Sequence, residues 1–444
     1  MSNSRKEILR EAAKAKKTKQ QKPQSIDDVF EEAIELEESG DRWRLDPEKC
    51  YRFYEKASKA YDEYLTARPN DYDAWFNKAR LYLNMVSNCD MLSSQSAQYL
   101  QISIDLHQKA ISLETHSEAY FNLAQTHKYL AESRTEAGNE QLALPHIQAA
   151  LDAIMKCSML QQDEFHQKKL ELEQIASSGL GNIDFEKFRL HVSQSDEDSA
   201  VLLGEIAALA ASTSLFTESD FKNLIQIVQP ISEKYDILKF MDWHLAREKR
   251  LVLSGQQSEQ VWVKLLQVYD DRLSQLPEIN VQNPLQASNS PTKPIHIQLL
   301  CDKADAYAEF ADTLIQAQLQ QNPVPSVEIL TRAWNIFGQA TKALKLASTY
   351  DASRTRIWIS RADLELQRTD IPLAIAENSK SVLLKNAKVM YERAYKEIQN
   401  RKTTGTFCEI VVKHEQLQRR MGIHSITSLA VIPNEAREDI LESL

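Results

Sequence analysis

Two stretches of the sequence share one pattern: Asp73–Leu83 reads DAWFNKARLYL, and Glu118–Lys128 reads EAYFNLAQTHK. Each has an acidic residue, Ala, an aromatic residue, Phe and Asn in that order, with a second Ala two residues after the Asn. The two stretches begin 45 residues apart. A motif that recurs in this way indicates that the chain repeats a structural unit.

Glycine is scarce in this sequence, with nine among 444 residues. Tight turns, β-bulges and phosphate-binding loops depend on glycine. The composition therefore favours an all-α chain and argues against Rossmann or P-loop chemistry. Hydrophobic residues make up 43% and charged residues 26%, a balance typical of folded proteins rather than disordered ones.

Several helix start and stop signals precede the first stretch. Ser25 is a candidate N-cap for a first helix, which Gly40 is expected to break. Asp46 followed by Pro47 predicts the start of a second helix, and Pro69 predicts its end. The sequence therefore predicts a pair of helices immediately before the first stretch.

Residues at fixed offsets from Trp75 fit a helix–turn–helix unit of about 34 residues. With Trp75 at position four, Ala79 falls at position eight, and Ala57 at position twenty of the unit before it. This arrangement resembles the tetratricopeptide repeat (TPR), in which small residues at these positions let two helices approach closely. Further matches are Tyr120 and Ala124, then Trp358, Ala362 and Ala374, preceded by Ala340 and Ala347 at positions twenty and twenty-seven.

We therefore predict an all-α fold: a helical-repeat, TPR-like solenoid of antiparallel helix pairs, interrupted by a less regular helical middle. The predicted segments are a basic disordered arm (1–25), an N-terminal TPR-like array (26–176), an acidic loop or linker (177–199), an irregular helical segment (200–276), a Pro-rich loop (277–295), a C-terminal TPR-like array (296–422) and a tail (423–444).

The TPR resemblance implies a concave groove lined by the first helix of each pair. A mixed polar surface with Phe side chains would suit a peptide or helix ligand. By resemblance the groove residues are Asp73, Phe76, Asn77, Arg80, Leu83, Glu118, Phe121, Asn122, Gln125 and Lys128, and in the distal array Arg356, Ile359, Ser360, Asp363 and Leu366.

The carboxylate clamp of chaperone-binding TPR domains matches this groove only in part. Asn77 and Asn122 occupy the shared asparagine position, but Asp73 stands where the clamp has Lys. No Lys-x-x-x-Arg follows in the next unit. His107 and His127 fall at repeat core positions, which favours a packing role over metal binding. The sequence thus disfavours recognition of a chaperone tail.

No catalytic motif of known spacing is present, and none of the five cysteines forms a Cys-x-x-Cys pair. We therefore predict a protein that is not an enzyme and has no cofactor or metal. The N-terminus lacks an apolar signal core, and no apolar run is long enough to span a membrane. These features predict a soluble intracellular protein, cytoplasmic and/or nuclear, with no membrane partner.

Two regulatory features are expected outside the groove. The basic arm resembles a nuclear-import patch at Lys14, Lys16, Lys17, Lys19 and Lys22. Ser195 precedes three acidic residues and Ser290 precedes Pro291, so both are candidate phosphorylation sites in predicted loops.

The formal net charge of −10 disfavours general nucleic-acid binding, which leaves the basic arm as the segment suited to it. The favoured hypothesis is a TPR-type adaptor or scaffold that binds a partner protein or peptide in its concave groove. The alternatives are an assembly chaperone that shields a basic client such as a ribosomal protein, an RNA-associated factor, and an enzyme with an unrecognised site.

Overall fold

All regular elements in the described part of the chain are helices. The computed structural model describes residues 25–44, 46–89, 95–177, 185–254, 260–277, 292–322, 325–399 and separate positions between 410 and 421. The predicted all-α fold is confirmed. None of the described helices has the length and apolar character needed to cross a membrane. The predicted import patch, Ser290 and the tail lie outside the described residues.

The helices divide into two units, Met1–Ser199 and Ala200–Leu444, with the boundary inside α7. The α-helices are α1 (Ile26–Arg42), α2 (Pro47–Ala67), α3 (Tyr72–Asn88), α4 (Ser96–Leu113), α5 (Ser117–Glu136), α6 (Glu140–Ser177), α7 (Phe185–Ser212), α8 (Glu218–Ser232), α9 (Met241–Leu253), α10 (Gln260–Gln275), α11 (Lys293–Gln321), α12 (Val327–Tyr350), α13 (Thr355–Thr369) and α14 (Ala374–Gln399).

The first unit contains three antiparallel helix pairs, in which α1 packs on α2, α3 on α4, and α5 on α6. Local capping agrees with the predicted starts. The Ser25 Oγ accepts a hydrogen bond from the Asp28 amide at 3.1 Å, and the Asp28 carboxylate accepts one from the Ser25 amide at 2.8 Å. The Asp46 carboxylate accepts from the Lys49 amide at 3.1 Å. These caps satisfy amides that a helix leaves unpaired at its N-terminus.

The alanines that define the predicted register are fully buried where helices cross. Ala57 on α2, Ala79 on α3 and Ala124 on α5 are each 0% exposed. In the second unit Ala340, Ala347 and Ala362 are also 0% exposed. Because a methyl side chain lets two backbones approach closely, both units use the same small-residue contact. The chain is a divergent helical repeat.

Two tryptophans make the same hydrogen bond in the two units. The Trp75 Nε1 donates to the Pro69 carbonyl at 2.8 Å, and the Trp358 Nε1 donates to the Ala352 carbonyl at 2.8 Å. In each case the acceptor lies six residues before the ring, in the connection that precedes the helix. This shared bond supports an equivalent register for α3 and α13.

The second unit joins the middle helices to the C-terminal pairs. Here α11 packs on α12 and α13 on α14, and α11 also contacts α9 and α10. Trp262 on α10 is fully buried and stacks on Phe310 of α11, with ring centroids 5.2 Å apart. The less regular middle therefore shares a core with the C-terminal array.

Gly40 does not break α1, contrary to the sequence-based expectation. It lies within the helix and is buried against α2. A Cβ atom at Gly40 would approach Tyr54 ring carbons to 2.5 Å. The glycine is therefore required by the close approach of α2 rather than by a turn.

Two other expectations differ from the structure. The loop predicted over 177–199 is helical from Phe185 onward, because Phe185, Phe188 and Val192 recur at helical spacing and face α6. Ala374, expected to be a packing position, is exposed, and Ala376 is fully buried instead. The turn before α14 thus shifts the buried position by two residues.

Removing the Trp358 side chain is expected to destabilise the second unit more than removing Trp75 destabilises the first. Trp358 is 9% exposed, so Trp358→Ala should cost roughly 3–5 kcal/mol. Trp75 is half-buried, so Trp75→Ala should cost about 1–3 kcal/mol. Urea unfolding followed by circular dichroism measures both, with Trp→Phe variants as controls that keep a ring. Unfolding curves of both Ala variants that superimpose on the parent curve would contradict the register.

Adding one methyl group at Gly40 is expected to destabilise α1 and α2. Gly40→Ala should cost about 1–3 kcal/mol, because the Tyr54 ring must move. The matched control is Gly338→Ala, since a Cβ at Gly338 meets nothing within 4 Å. Gly338→Ala should be neutral or stabilising, as Ala favours helix more than Gly. Equal behaviour of the two variants in thermal unfolding would refute the packing explanation.

Candidate functional site

A strip of half-buried polar side chains runs along α3 and α5, the first helices of two successive pairs. The two helices are neighbours, since Phe76 on α3 packs with Ala119 on α5. We define the first-helix strip as Asn77, Arg80 and Asn84 on α3 together with Phe121, Asn122 and Gln125 on α5.

Asn77 and Asn122 occupy equivalent positions on the strip. Both are half-buried, and neither carboxamide has a hydrogen-bond partner in the described part of the chain. A carboxamide offers two donors and an acceptor. The strip therefore presents two unpaired amide groups at the repeat position that the sequence predicts.

Several predicted groove residues lie in the core instead. Phe76 is 7% exposed and packs against α4 and α5, and Leu83 is 4% exposed. Lys128 is also buried, with its Nζ 3.6 Å from the Glu132 carboxylate. These residues cannot serve as the exposed contacts that the TPR resemblance implies.

Arg80 is held by a buried carboxylate on α1. The Arg80 Nε donates to Glu37 Oε1 at 3.2 Å, and the Asn84 amide approaches the same oxygen at 3.4 Å. The Tyr61 hydroxyl donates to Glu37 Oε2 at 3.1 Å. Burial raises the pKa of Glu37 above its usual value, and the Arg80 guanidinium partly opposes that rise. Arg80 thus neutralises an internal charge and joins α3 to α1.

Glu37 was not predicted as a site residue, although the sequence carries a signal for it. Val29, Ala33 and Glu37 follow one another at four-residue intervals, which places all three on one helix face. Val29 and Ala33 are buried, and Glu37 is 4% exposed. A carboxylate on the apolar face of α1 indicates a partner from a neighbouring helix.

Carboxylates surround the N-terminal end of the strip. Asp73 and Glu118 are exposed. Burial raises the pKa of the Tyr72 hydroxyl, and the nearby carboxylates of Glu118, Asp73, Glu164 and Glu114 raise it further. Glu164 on α6 was also missed by sequence reasoning. Its carboxylate accepts from the Ser117 amide at 2.8 Å, so it caps α5. This end of the strip is acidic.

The distal predicted residues are engaged differently. Asp363 accepts hydrogen bonds from the Tyr391 hydroxyl and from Lys413 Nζ, the latter at 2.6 Å. Ile359 is 2% exposed, whereas Arg356 is exposed and Ser360 and Leu366 are half-buried. Among these five predicted residues, none carries an amide side chain that would correspond to the paired asparagines.

Ser195 lies inside α7 rather than in a loop. It is half-buried and precedes the exposed Asp196. Its phosphorylation stays a prediction, now in a helical setting where added charge would join an acidic surface.

The UPF0656 protein C926.02 of Schizosaccharomyces pombe is 50% identical to this chain over 445 residues and covers 100% of both proteins. The chain belongs to the UPF0656 family. The uncharacterized protein YNL193W of Saccharomyces cerevisiae is 39% identical over 67 residues, which are 14% of this chain and 12% of that protein. No family model matches the sequence.

Two solved helical structures were also similar to this UPF0656 chain. The S. pombe nuclear import adaptor Nro1 is 13% identical with a TM-score of 0.33, covering 88% of this chain and 100% of that one. A circular tandem repeat protein with novel repeat topology is 14% identical with a TM-score of 0.29, covering 94% of each chain.

Removing Arg80 is expected to destabilise the first unit in a pH-dependent manner. At neutral pH Arg80→Ala leaves Glu37 buried without its cation, which should cost about 1–3 kcal/mol. In the folded chain the pKa of Glu37 is raised above 4.5. The preference of the folded state for the protonated carboxyl therefore adds to stability below that pH, and this contribution is lost as the pH rises through the folded pKa. The variant lacks the opposing guanidinium, so its stability should fall more steeply than the parent's between about pH 4 and pH 7.

Arg80→Lys is the matched control, because it keeps a cation near Glu37. Chemical denaturation at several pH values measures the effect. Stability curves of the parent and Arg80→Ala that superimpose over this pH range would show that the ion pair contributes nothing to the fold.

Proposed function

We propose that this chain is a non-enzymatic, TPR-type scaffold that binds an extended segment of a partner protein along the first-helix strip. The observation that carries the proposal is the pair of unpaired carboxamides at Asn77 and Asn122. A half-buried amide without a partner gains free energy when a ligand supplies one. Two such groups on adjacent helices suit the alternating donors and acceptors of a peptide backbone.

The rest of the strip supports backbone recognition rather than charge recognition. Arg80 is committed to Glu37, and Lys128 is buried beside Glu132. Gln125 and Phe121 are half-buried on the same helix as Asn122. The Gln125 amide donates to the Tyr129 hydroxyl at 3.5 Å, so Gln125 offers its carbonyl oxygen and Phe121 an apolar surface. A ligand on this strip would therefore be held mainly by neutral hydrogen bonds and by contact with Phe121.

A second candidate function is the shielding of a basic client. Asp73, Glu114, Glu118 and Glu164 place four carboxylates around Tyr72, at the end of the strip. Lys or Arg side chains of a client would pair with them and stack on the half-buried Tyr72 ring. Shielding predicts that partners dissociate at high salt and remain bound after nuclease treatment.

Truncating both asparagines is expected to remove most partners without unfolding the chain. Asn77→Ala/Asn122→Ala should weaken binding about five- to thirty-fold, as the loss of central contacts does in other interfaces. Quantitative affinity purification with mass spectrometry compares this variant with the parent, and circular dichroism checks its helical content.

The matched control is Asn378→Ala/Asn386→Ala, which makes the same chemical change at two exposed positions of α14. It should retain the full partner set. A photo-crosslinking residue at position 125 tests the location directly and should capture the same partners. A folded strip variant that retains every partner, with no crosslinks from position 125, would place binding elsewhere.

A further inference from the structure

Helix α6 extends far beyond the helix it pairs with. It has 38 residues, against 20 in α5, so it is roughly 57 Å long and α5 roughly 30 Å. Glu164 on α6 contacts Ser117, the first residue of α5. Helix α5 therefore does not cover the part of α6 that follows Glu164. The remainder of α6, 165–177, lies beside the first half of α7. We call 162–177 and 185–199 the α6–α7 hairpin.

Few side-chain contacts hold the hairpin together. Phe165 makes edge contacts with Phe188 and His191, at centroid distances of 6.5 and 6.0 Å. At its inner end the Ser199 hydroxyl donates to the Gln161 side chain at 3.0 Å. Between these contacts the two helices leave room along their shared face.

A groove of about 780 Å³ occupies that face. Its apolar side chains are Phe165, Phe185, Phe188 and Val192, all half-buried. Two helices cannot enclose an apolar stripe by themselves, and a third helix packs across such a groove at about 8–10 Å. Aromatic side chains in a groove are also the residues that most often anchor a partner.

The net negative charge of the hairpin favours a positively charged partner. Its two segments carry eight Asp and Glu residues against four Lys and Arg residues. Lys168, Lys169 and Arg189 already pair with hairpin carboxylates, at 3.0, 3.8 and 2.9 Å respectively.

Asp196 lines the groove and has no ion pair within the described residues. Partial burial raises its pKa. The two cations that line the same groove, Lys169 and Arg189, pair with Glu173 and Glu186. A cationic side chain from a ligand would supply the missing charge.

We propose that the α6–α7 hairpin binds a basic amphipathic helix of a partner protein. The apolar face of that helix would pack on Phe165, Phe188 and Val192, and a Lys or Arg on its edge would pair with Asp196. The first-helix strip lies on α3 and α5, so this is a second interaction surface that does not depend on the function proposed above.

The test uses the full chain and two synthetic fluorescent peptides. One has Leu and Lys in an amphipathic helical pattern, and the other has Glu in place of every Lys. Fluorescence anisotropy at physiological salt measures their affinities. The Lys peptide should bind at least about tenfold more tightly than the Glu peptide.

Two variants of the groove should weaken binding of the Lys peptide by about tenfold or more: Phe165→Ala/Phe188→Ala, and Asp196→Asn, which preserves shape. Leu190→Ala is the matched control, since Leu190 is 68% exposed on α7 and does not line the groove. Asn77→Ala/Asn122→Ala is the second control. Both controls should bind the Lys peptide like the parent.

Three outcomes would overturn the proposal. Equal binding of the two peptides would indicate non-specific apolar contact. Folded groove variants that bind like the parent would place the peptide elsewhere. A Lys16→Gln/Lys17→Gln/Lys19→Gln variant that binds the peptide about tenfold more tightly would make the chain's own basic arm the occupant.

Discussion

The close crossing of neighbouring helices at fully buried alanines is the constraint on which both units depend. Ala57 and Ala79 in the first unit, and Ala340 and Ala362 in the second, have no exposed surface. A larger side chain at any of them would push two helices apart and break the contacts that these helices make with their other neighbours. Because each pair of a repeat protein buries its apolar face only against its neighbours, the effect would pass along the unit. Gly40 shows the limit of this requirement, since even a methyl group there would overlap the Tyr54 ring.

The fold could be predicted because its main determinants are periodic in sequence. An aromatic residue followed by Ala four residues later identified α3, α5 and α13, and the acceptors of Trp75 and Trp358 confirm that two of these positions are equivalent. The errors arose where local rules competed with tertiary packing. Glycine usually ends a helix, but Gly40 faces Tyr54. The polar composition of 177–199 concealed the helical spacing of Phe185, Phe188 and Val192.

The helix face on which the candidate site lies could be predicted from the sequence, but the partners of its charged side chains could not. A repeat register specifies which face a residue occupies, so the TPR resemblance could place Asn77 and Asn122 at equivalent positions on α3 and α5. The register does not specify which charged side chain from another helix will pair with a residue on that face. Arg80 pairs with Glu37, 43 residues earlier, and Asp363 with Lys413, 50 residues later. Lys128 is buried by packing that no local pattern reveals. Pairing at such separations is a property of the folded chain.

Ion pairs within the chain also determine what kind of ligand each surface can bind. On the first-helix strip the one partly exposed cation is neutralised by Glu37, so the groups left for a ligand are mainly uncharged amides. Hydrogen bonds between neutral groups are little affected by ionic strength, whereas attraction between exposed charges is screened within about 8–10 Å. The α6–α7 hairpin retains an excess of carboxylates, and Asp196 has no ion pair within the described residues. A partner held by the strip should therefore survive a rise in salt that releases one held by the hairpin. Salt sensitivity would therefore separate partners held by the neutral amides of the strip from partners held by an acidic surface, either the hairpin or the carboxylates around Tyr72.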